Sequence, residues 1–269
     1  MRTHLDLFSG VGGFALAAHW AGFRTVAFVE CDPFAQRVLG KHWPDVPMLE
    51  DVRDVCVSAA DYPLAEITGE HFCERHSEEL WACPCLAESQ WDELFPYEID
   101  LITAGWPCQD ISAMGERAGL DGGRSGLWFE AARIIRQIRP RFAILENVPN
   151  VLAGDGGRWF GTVLGGLAAM GYDAEWGSFR GELFGARQTR ERVFIVAHDN
   201  RRQPPVAHKR ALMPSQINAA PFGEPQPIPQ RNRMPDRLSD RVDITRRIAS
   251  CANAIIPQIA FQIIKRLPQ

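Results

Sequence analysis

Apolar runs of four to six residues alternate along the chain with longer segments that have one apolar face. Buried strands are predicted at residues 5–8, 25–30, 99–103, 142–146 and 193–197. Helices are predicted at residues 14–21, from Pro33 onward, at 127–138 and at 160–170. Strands that alternate with helices in this way predict an α/β fold, in which a mostly parallel sheet is covered by helices on both faces.

Two segments break this alternation. Residues 56–98 form an insert rich in Cys and His, and residues 199–240 contain eight prolines. Such a proline content is typical of a surface segment with little core of its own. After it, residues 244–267 are predicted to form a helix, with Pro257 inside it, that docks back on the sheet.

A glycine-rich turn connects the first predicted strand to the first predicted helix. Gly10, Gly12 and Gly13 let the backbone approach a nucleotide-like ligand closely. Glu30 ends the second strand, where a carboxylate can accept hydrogen bonds from ribose hydroxyls. The spacing G-x-G-G differs from the dinucleotide motif G-x-G-x-x-G, so a tight turn without a ligand stays an alternative.

Reactive side chains lie next to the other predicted strands. Cys108 follows the strand at 99–103, Glu146 ends the strand at 142–146, and Arg190 and Arg192 precede the last strand. Open α/β sheets place their sites at the carboxyl ends of the strands. Taken singly, a cysteine is commonly an inert apolar residue and an arginine a surface charge.

Five motifs occur in a fixed order along the chain: Phe8-Ser9-Gly10-x-Gly12-Gly13, Pro107-Cys108-Gln109, Glu146-Asn147-Val148, Gln188-x-Arg190-x-Arg192 and Asn253-Ala254-Ile255-Ile256-Pro257. In residues and in order they resemble the motifs of the DNA (cytosine-5)-methyltransferases. The resemblance covers most of the chain outside the insert and the proline-rich segment. It implies a Rossmann-like methyltransferase fold and methyl transfer from S-adenosylmethionine to carbon 5 of cytosine in duplex DNA.

The resemblance also implies roles for the reactive side chains. Cys108 would attack carbon 6 of the base as a thiolate, because carbon 5 is too weakly nucleophilic to accept a methyl group unaided. Glu146 would hydrogen-bond or protonate N3, and Arg192 would hold O2. Arg190 and Gln188 would organise the site and the nearby backbone. Since the target atom is stacked inside a duplex, the base must be flipped out.

The same resemblance assigns the cofactor contacts. Phe8 would stack on the adenine of S-adenosylmethionine, Glu30 would bind its ribose, and Asp51 would reach the adenine amino group. Gly10, Gly12 and Gly13 would admit the cofactor, and Asn253 would complete its site. Asp51 has the alternative role of capping a turn.

The formal net charge of −4 conceals a division along the chain. Residues 1–179 carry 13 Lys and Arg against 26 Asp and Glu, whereas residues 180–269 carry 16 against 7. A basic C-terminal third predicts a face that meets a polyanion, although coding bias toward arginine would give the same composition.

The implied catalytic domain consists of residues 1–198 and 241–269, and residues 199–240 form a short target-recognition region. Basic residues there, beginning with Arg201 and Arg202, are predicted to contact phosphates. Double-stranded DNA is the expected partner, with a cognate restriction endonuclease as a possible second one.

The insert contains four candidate zinc ligands: Cys73, His76, Cys83 and Cys85. Thiolate and imidazole groups suit a tetrahedral structural zinc ion, which would order a segment poor in apolar residues. Zinc knuckles more often have C-x2-C than the C-x-C of the second pair, so scattered reduced thiols are the alternative.

Two other functions remain open. Relatives of this family act on tRNA, and Ala252, where the family usually has glycine, is compatible with a catalytically silent DNA-binding protein. The N-terminal residues lack the apolar run of a signal peptide, and the apolar runs are too short to cross a membrane. The expected location is the cytoplasm, with no membrane partner.

Overall fold

The structure of the protein, a computed structural model, describes residues 1–55, 72–73, 78–79, 98–106, 126–184, 190–202 and 254–268. The strands are β1 (Arg2–Leu7), β2 (Phe23–Val29), β3 (Met48–Leu49), β4 (Phe72–Cys73), β5 (Glu78–Glu79), β6 (Leu101–Ala104), β7 (Phe142–Asn147), β8 (Tyr172–Arg180) and β9 (Glu191–Asp199). The helices are α1 (Gly13–Trp20), α2 (Pro33–His42), α3 (Gly126–Ile138), α4 (Asn150–Ala153), α5 (Arg158–Ala169) and α6 (Pro257–Ile264). Single 3-10 turns cover Val52–Asp54, Gly154–Gly157 and Gly181–Phe184.

Seven strands form one sheet in the order β3-β2-β1-β6-β7-β9-β8. The first five of these are mutually parallel, whereas β9 runs antiparallel to both β7 and β8. Strands β4 and β5 form a separate antiparallel pair within the insert. The mostly parallel sheet predicted from the sequence is confirmed.

All five predicted strands are present, with bounds that differ by a few residues. The sequence prediction missed β4 and β5 in the insert and, in the main sheet, β3, which is only two residues long, and β8. Strand β8 carries Glu175, Gly177 and Arg180 and lies at the edge of the sheet, where one side of the strand faces water. An edge strand of this composition has no continuous apolar run, so the pattern that revealed the central strands is absent.

Two helices begin at prolines, as the missing amide of proline allows in the first helical turn. In α2, Pro33 follows the N-cap Asp32, whose Oδ1 accepts hydrogen bonds from the amides of Phe34 (2.6 Å) and Ala35 (3.2 Å). In α6, Pro257 occupies the same first-turn position. The predicted helix with Pro257 in its interior is therefore wrong at this point: the helix begins at the proline, and residues 244–253 lie outside the described ranges.

Apolar clusters cover both faces of the sheet. On one face α3 and α5 pack through side chains such as Ile134, Ile135 and Leu167. On the other face α1 and α6 pack through Phe14, Ile259 and Ile263, with Phe142, Ile144 and Phe194 of the sheet beneath them. Burial of this apolar surface is the main force that holds the helices on the sheet.

The parallel strands end along one edge of the sheet, and β9 begins there. Leu7 is in register with both Val29 and Ala104, and Glu146 is in register with Phe194. This site edge therefore gathers the residues that follow β1, β2, β6 and β7 and those that precede β9.

Arg201 and Arg202 lie at the opposite edge. His198, near the end of β9, is paired with Phe142, the first residue of β7. Arg202 forms ion pairs with Glu98 and, at 4.0 Å, with Asp199. The antiparallel direction of β9 therefore carries Arg202 to the edge opposite the site, and its contact with DNA phosphates stays a prediction.

None of the helices that the structure describes has the length and apolar character needed to cross a lipid bilayer. Apart from residues 199–202, the predicted recognition region lies outside the described residues, as does most of the insert. The division of the chain into these regions stays a prediction.

Candidate active site

The glycine-rich turn leaves β1 with an unusual backbone. Phe8, Gly10 and Gly12 have positive φ values of 54°, 54° and 86°. Ser9 fixes the turn to the sheet, since its amide donates to the carbonyl of Val29 (3.1 Å) and its Oγ donates to that of Asp6 (2.7 Å). A non-glycine residue with positive φ is uncommon and points to a constrained turn, here at Phe8.

Glycine is needed at two positions of this turn for lack of space. A Cβ atom at Gly12 would lie 2.6 Å from Cζ3 of Trp43, and one at Gly13 would lie 2.8 Å from both Cβ and O of Ile255. By contrast, a Cβ atom at Gly10 would meet no atom of the described residues within 4 Å. Within this part of the chain the turn is therefore packed at Gly12 and Gly13 and open at Gly10, an arrangement that suits a ligand-binding loop. Sequence reasoning missed the contact with Trp43, which no motif marks.

Glu30 organises the turn from the end of β2. It is buried, and its Oε2 accepts a hydrogen bond from the amide of Gly10 (2.6 Å) while its Oε1 accepts one from the amide of Asp32 (2.7 Å). Each carboxylate oxygen has a second lone pair that can still accept a hydroxyl.

Asp51 follows β3 at the same edge and caps the 3-10 turn Val52–Asp54 through a 2.9 Å hydrogen bond from the amide of Arg53. Asp51 therefore caps a turn, which is the alternative role predicted for it from the sequence. Its side chain is 41% exposed, so it also has a face open to a ligand. Phe8 packs partly against the core and keeps part of its surface exposed. With the open space above Gly10, these residues fit a nucleoside cofactor such as S-adenosylmethionine.

Glu146 and Arg192 form a nearly buried ion pair at the end of β7 and the start of β9. Nε of Arg192 lies 2.8 Å from Oε1 of Glu146, and the two side chains are 15% and 8% exposed. Burial raises the pKa of Glu146 to about 7, although the positive charges of Arg192 and Arg190 act to lower it. A carboxyl group with this pKa exchanges a proton near neutral pH, which is what a general acid requires.

The lack of a side chain at Gly105 leaves room for the carboxyl group of Glu146. A Cβ atom there would lie 3.3 Å from Oε2 of Glu146 and 3.3 Å from Cδ1 of Ile255. Asn147 ties the same loop to β7, because its Nδ2 donates to the carbonyl of Trp106 (3.2 Å) and its Oδ1 accepts from the amide of Val148 (2.8 Å). The sequence marked Asn147 as part of a motif but gave it no role. Asn147 thus fixes the backbone at Trp106, two residues before Cys108 in the sequence.

Arg190 lies beside the pair and contacts a different partner. Its Nη1 donates a 2.7 Å hydrogen bond to the carbonyl of Ala254, in the segment that precedes α6. Burial lowers the pKa of Arg190 to about 10, and the positive charge of Arg192 acts in the same direction. Arg190 therefore holds the backbone of the segment that precedes α6.

The structure brings together the predicted site residues Phe8, Gly10, Gly12, Gly13, Glu30, Asp51, Glu146, Arg190 and Arg192. Cys108, Gln188 and Asn253 lie outside the described residues, so their positions stay predictions. His76, Cys83 and Cys85 also lie outside, and of Cys73 only the backbone, in β4, is described. Within the described ranges no three His, Cys, Asp or Glu side chains gather as a metal site would need.

Comparison with known proteins gives a family and a set of relatives. The model of the C-5 cytosine-specific DNA methylase family matches residues 2–69 and 87–259. The Type II methyltransferase M1.ScrFI of Lactococcus lactis subsp. cremoris is 29% identical over 240 residues, which is 89% of this chain and 49% of the relative. The Type II methyltransferase M.HpaII of Haemophilus parainfluenzae is 30% identical over 196 residues, 72% of this chain and 45% of the relative. The chain thus spans about half the length of these curated relatives.

Solved structures support the fold. The S. pombe Dnmt2 methyltransferase superposes with a TM-score of 0.51 at 18% identity, covering 74% of this chain and 51% of that one. The Spodoptera frugiperda DNMT2 structure gives 0.51 at 17% identity, with 77% and 53% covered. Because the family model matches most of its residues, the chain belongs to the C-5 cytosine-specific DNA methylase family.

Proposed function

We propose that this protein transfers a methyl group from S-adenosylmethionine to carbon 5 of a flipped-out cytosine in double-stranded DNA. The observation that carries the proposal is the nearly buried Glu146–Arg192 pair, which lies beside Gly105 at the edge where the open glycine-rich turn also lies. A proton-exchanging carboxyl group and a guanidinium group side by side suit the N3 and O2 edge of cytosine. Family membership supports the same reaction.

Glu146 acts on the base as a proton donor. With a pKa of about 7 it is protonated in a substantial part of the molecules at neutral pH. A protonated carboxyl group donates to N3 and withdraws electron density from the ring as the nucleophile attacks carbon 6. Arg192 donates to O2 and keeps the carboxyl group in place.

Cys108 supplies the nucleophile, three residues after Gly105 in the chain. Its thiolate bonds to carbon 6, which converts carbon 5 into the nucleophilic end of an enamine. Carbon 5 would then take the methyl group, leaving S-adenosylhomocysteine. Loss of the carbon 5 proton to solvent, return of the N3 proton to Glu146 and departure of the thiolate would restore the aromatic ring. The described backbone before Cys108 ends at Trp106, whose carbonyl accepts a hydrogen bond from Nδ2 of Asn147.

S-adenosylmethionine, when bound, supplies an electrophilic methyl group. Gly10, Gly12 and Gly13 would hold it at the turn, with Phe8 at its adenine and Glu30 at its ribose hydroxyls. Asp51 would meet the adenine amino group, and Asn253 would complete the site from the segment before α6.

The decisive experiment is methyl transfer to duplex DNA, followed by bisulfite sequencing to identify the modified base. Wild-type protein should methylate carbon 5 of cytosine, and Cys108→Ser should not. Transfer that persists in Cys108→Ser would contradict the covalent mechanism. Transfer to tRNA with none to DNA would contradict the proposed substrate.

Two finer expectations remain proposals. If a structural zinc ion is bound in the insert, elemental analysis of purified protein should find near-stoichiometric zinc. Absence of zinc would refute the assignment to Cys73, His76, Cys83 and Cys85.

If the protein has a cognate restriction endonuclease, DNA methylated by this protein should resist cleavage by that enzyme at the methylated site.

A further inference from the structure

The segment at residues 254–256 lies between the two halves of the site. Ile255 contacts the glycine-rich turn, since a Cβ atom at Gly13 would lie 2.8 Å from its Cβ and its carbonyl oxygen. The same side chain reaches the loop beside Glu146, since a Cβ atom at Gly105 would lie 3.3 Å from its Cδ1. One residue therefore touches the backbone of both the cofactor turn and the loop that leads to the nucleophile.

This segment is anchored on its C-terminal side by α6. Ile256 is the N-cap of that helix, and its carbonyl accepts from the amide of Ile259 (3.1 Å). Helix α6 packs on α1 through the buried side chains of Ile259 and Ile263. Trp20 of α1 and Phe261 of α6 also meet edge to face, with ring centroids 5.9 Å apart.

On its N-terminal side the segment is anchored by Arg190. The guanidinium of Arg190 donates to the carbonyl of Ala254, and the carbonyl of Arg190 accepts from the amide of Gly181 (2.9 Å). Arg190 thus reaches the segment from a point fixed at the end of the β8–β9 hairpin. A charge-assisted hydrogen bond in a partly buried site is stronger than a neutral one.

From these contacts we infer that Arg190 is a positioning residue for the cofactor site, which acts through Ala254 and Ile255 on the glycine-rich turn rather than on the base. The inference rests on the proposed function in that the ligand is S-adenosylmethionine. Arg190 and Arg192 then have different roles, because Nε of Arg192 contacts the carboxyl group of Glu146. Because Ile255 contacts both Gly13 and Gly105, a shift of the segment would displace the backbone at both glycines.

The test is calorimetric titration of S-adenosylhomocysteine into the full chain without DNA. Arg190→Ala should raise the dissociation constant by about tenfold or more, as expected for loss of one charge-assisted hydrogen bond. Arg190→Lys retains a donor and should restore part of the affinity. Arg180→Ala is the matched control, because Arg180 is exposed on the same hairpin and pairs only loosely with Glu191 (3.8 Å).

Arg192→Ala provides the contrast. It should leave the dissociation constant for S-adenosylhomocysteine within about twofold of wild type and lower kcat for methyl transfer. Arg190→Ala with unchanged cofactor affinity and a lowered kcat would overturn the inference, and thermal unfolding of each variant shows whether it is folded. Wild-type protein that binds the cofactor without methylating DNA would overturn the proposed function, while the titrations would still decide the role of Arg190.

A second variant pair tests Ile255 itself. Gly105→Ala should impair methyl transfer, and adding Ile255→Val, which removes Cδ1, should restore part of it. Ile256→Val is the matched control in the same segment and should restore nothing. Equal behaviour of the two valine variants would overturn the role given to Ile255.

Discussion

The Nε atom of Arg192 lies 2.8 Å from Oε1 of Glu146, yet the pKa of that carboxyl group is raised to about 7. Burial, which disfavours the charged carboxylate, outweighs the stabilising charge of the arginine. The pair therefore combines a guanidinium that stays charged with a carboxyl group that is protonated in a substantial part of the molecules at neutral pH. Two groups with such different protonation behaviour can take different roles on one base.

The first prediction concerns the pH dependence of methyl transfer. Since Glu146 must donate a proton, kcat/KM should fall as pH rises above about 7, the pKa of the carboxyl group. Arg192→Ala removes a charge that lowers this pKa, so its alkaline limb should move to higher pH while the rate falls. An alkaline limb that stays in place or moves to lower pH would contradict the role of Glu146. Initial rates on duplex DNA over a pH series provide the measurement.

Glu30 provides the second prediction. In the wild type, both carboxylate oxygens of Glu30 accept hydrogen bonds, from the amides of Gly10 and Asp32. Glu30→Gln keeps the shape of the side chain but turns an NH2 group toward one of these two amides. We expect at least about a tenfold loss of affinity for S-adenosylhomocysteine, because a buried donor loses its acceptor. Glu50→Gln, at an exposed position just beyond β3, is the control and should bind like wild type. Equal affinities for the two variants would show that Glu30 does not organise the turn.

The third prediction compares two glycines. At Gly12, alanine combines a φ of 86° with a Cβ atom 2.6 Å from the ring of Trp43, so Gly12→Ala should lower both stability and cofactor affinity. At Gly40, inside α2, a Cβ atom would meet no atom within 4 Å among the residues that the structure describes. Gly40→Ala should therefore stabilise the protein by about 0.5–1 kcal/mol, the usual gain of alanine over glycine in a helix. Thermal and urea unfolding would distinguish the two, and similar effects from both substitutions would refute the packing argument.

A buried polar chain beneath the site gives the fourth prediction. Nε2 of His4 lies 2.7 Å from Oγ1 of Thr103 and Nδ1 lies 2.9 Å from Oγ1 of Thr25. Burial lowers the pKa of His4 to about 3. The unfolded chain, in which histidine titrates near pH 6.5, therefore binds an additional proton between about pH 3 and pH 6.5. Stability contributed by neutral His4 is present above pH 6.5 and is lost as the pH falls through this window.

His4→Gln retains hydrogen-bonding groups but cannot titrate. As the pH falls, the free energy of unfolding should decrease less for His4→Gln than for the wild type. The difference between the two decreases should reach up to about 1.4 kcal/mol for each pH unit below 6.5. Urea unfolding at pH 7.5 and pH 5 measures the difference. His19→Gln, at an exposed position on α1, should change with pH as wild type does. An identical pH response of His4→Gln and wild type would contradict the assignment.

The sequence by itself determined the central strands of the sheet and named the candidate site residues. Apolar runs such as 142–146 are buried on both faces, so composition alone marks them as strands. The glycines of the turn, Glu30 and Glu146 were identified because they follow or end predicted strands, whereas Arg190 and Arg192 were identified from their motif. Local signals also sufficed for α2, where Asp32 and Pro33 form a cap that depends only on neighbouring residues.

Only the tertiary structure decided which of these residues touch. The direction of β9 placed Arg192 against Glu146 and carried Arg202 to the far edge, and strand direction has no local sequence signal. Contacts of Trp43 with Gly12, and of Ile255 with Gly13 and Gly105, join segments far apart in the chain. The pKa of Glu146 follows from burial that several elements create together. The types of reactive side chain could thus be recognised from the sequence. The contacts between them and the burial that shifts their pKa values arise only from tertiary packing.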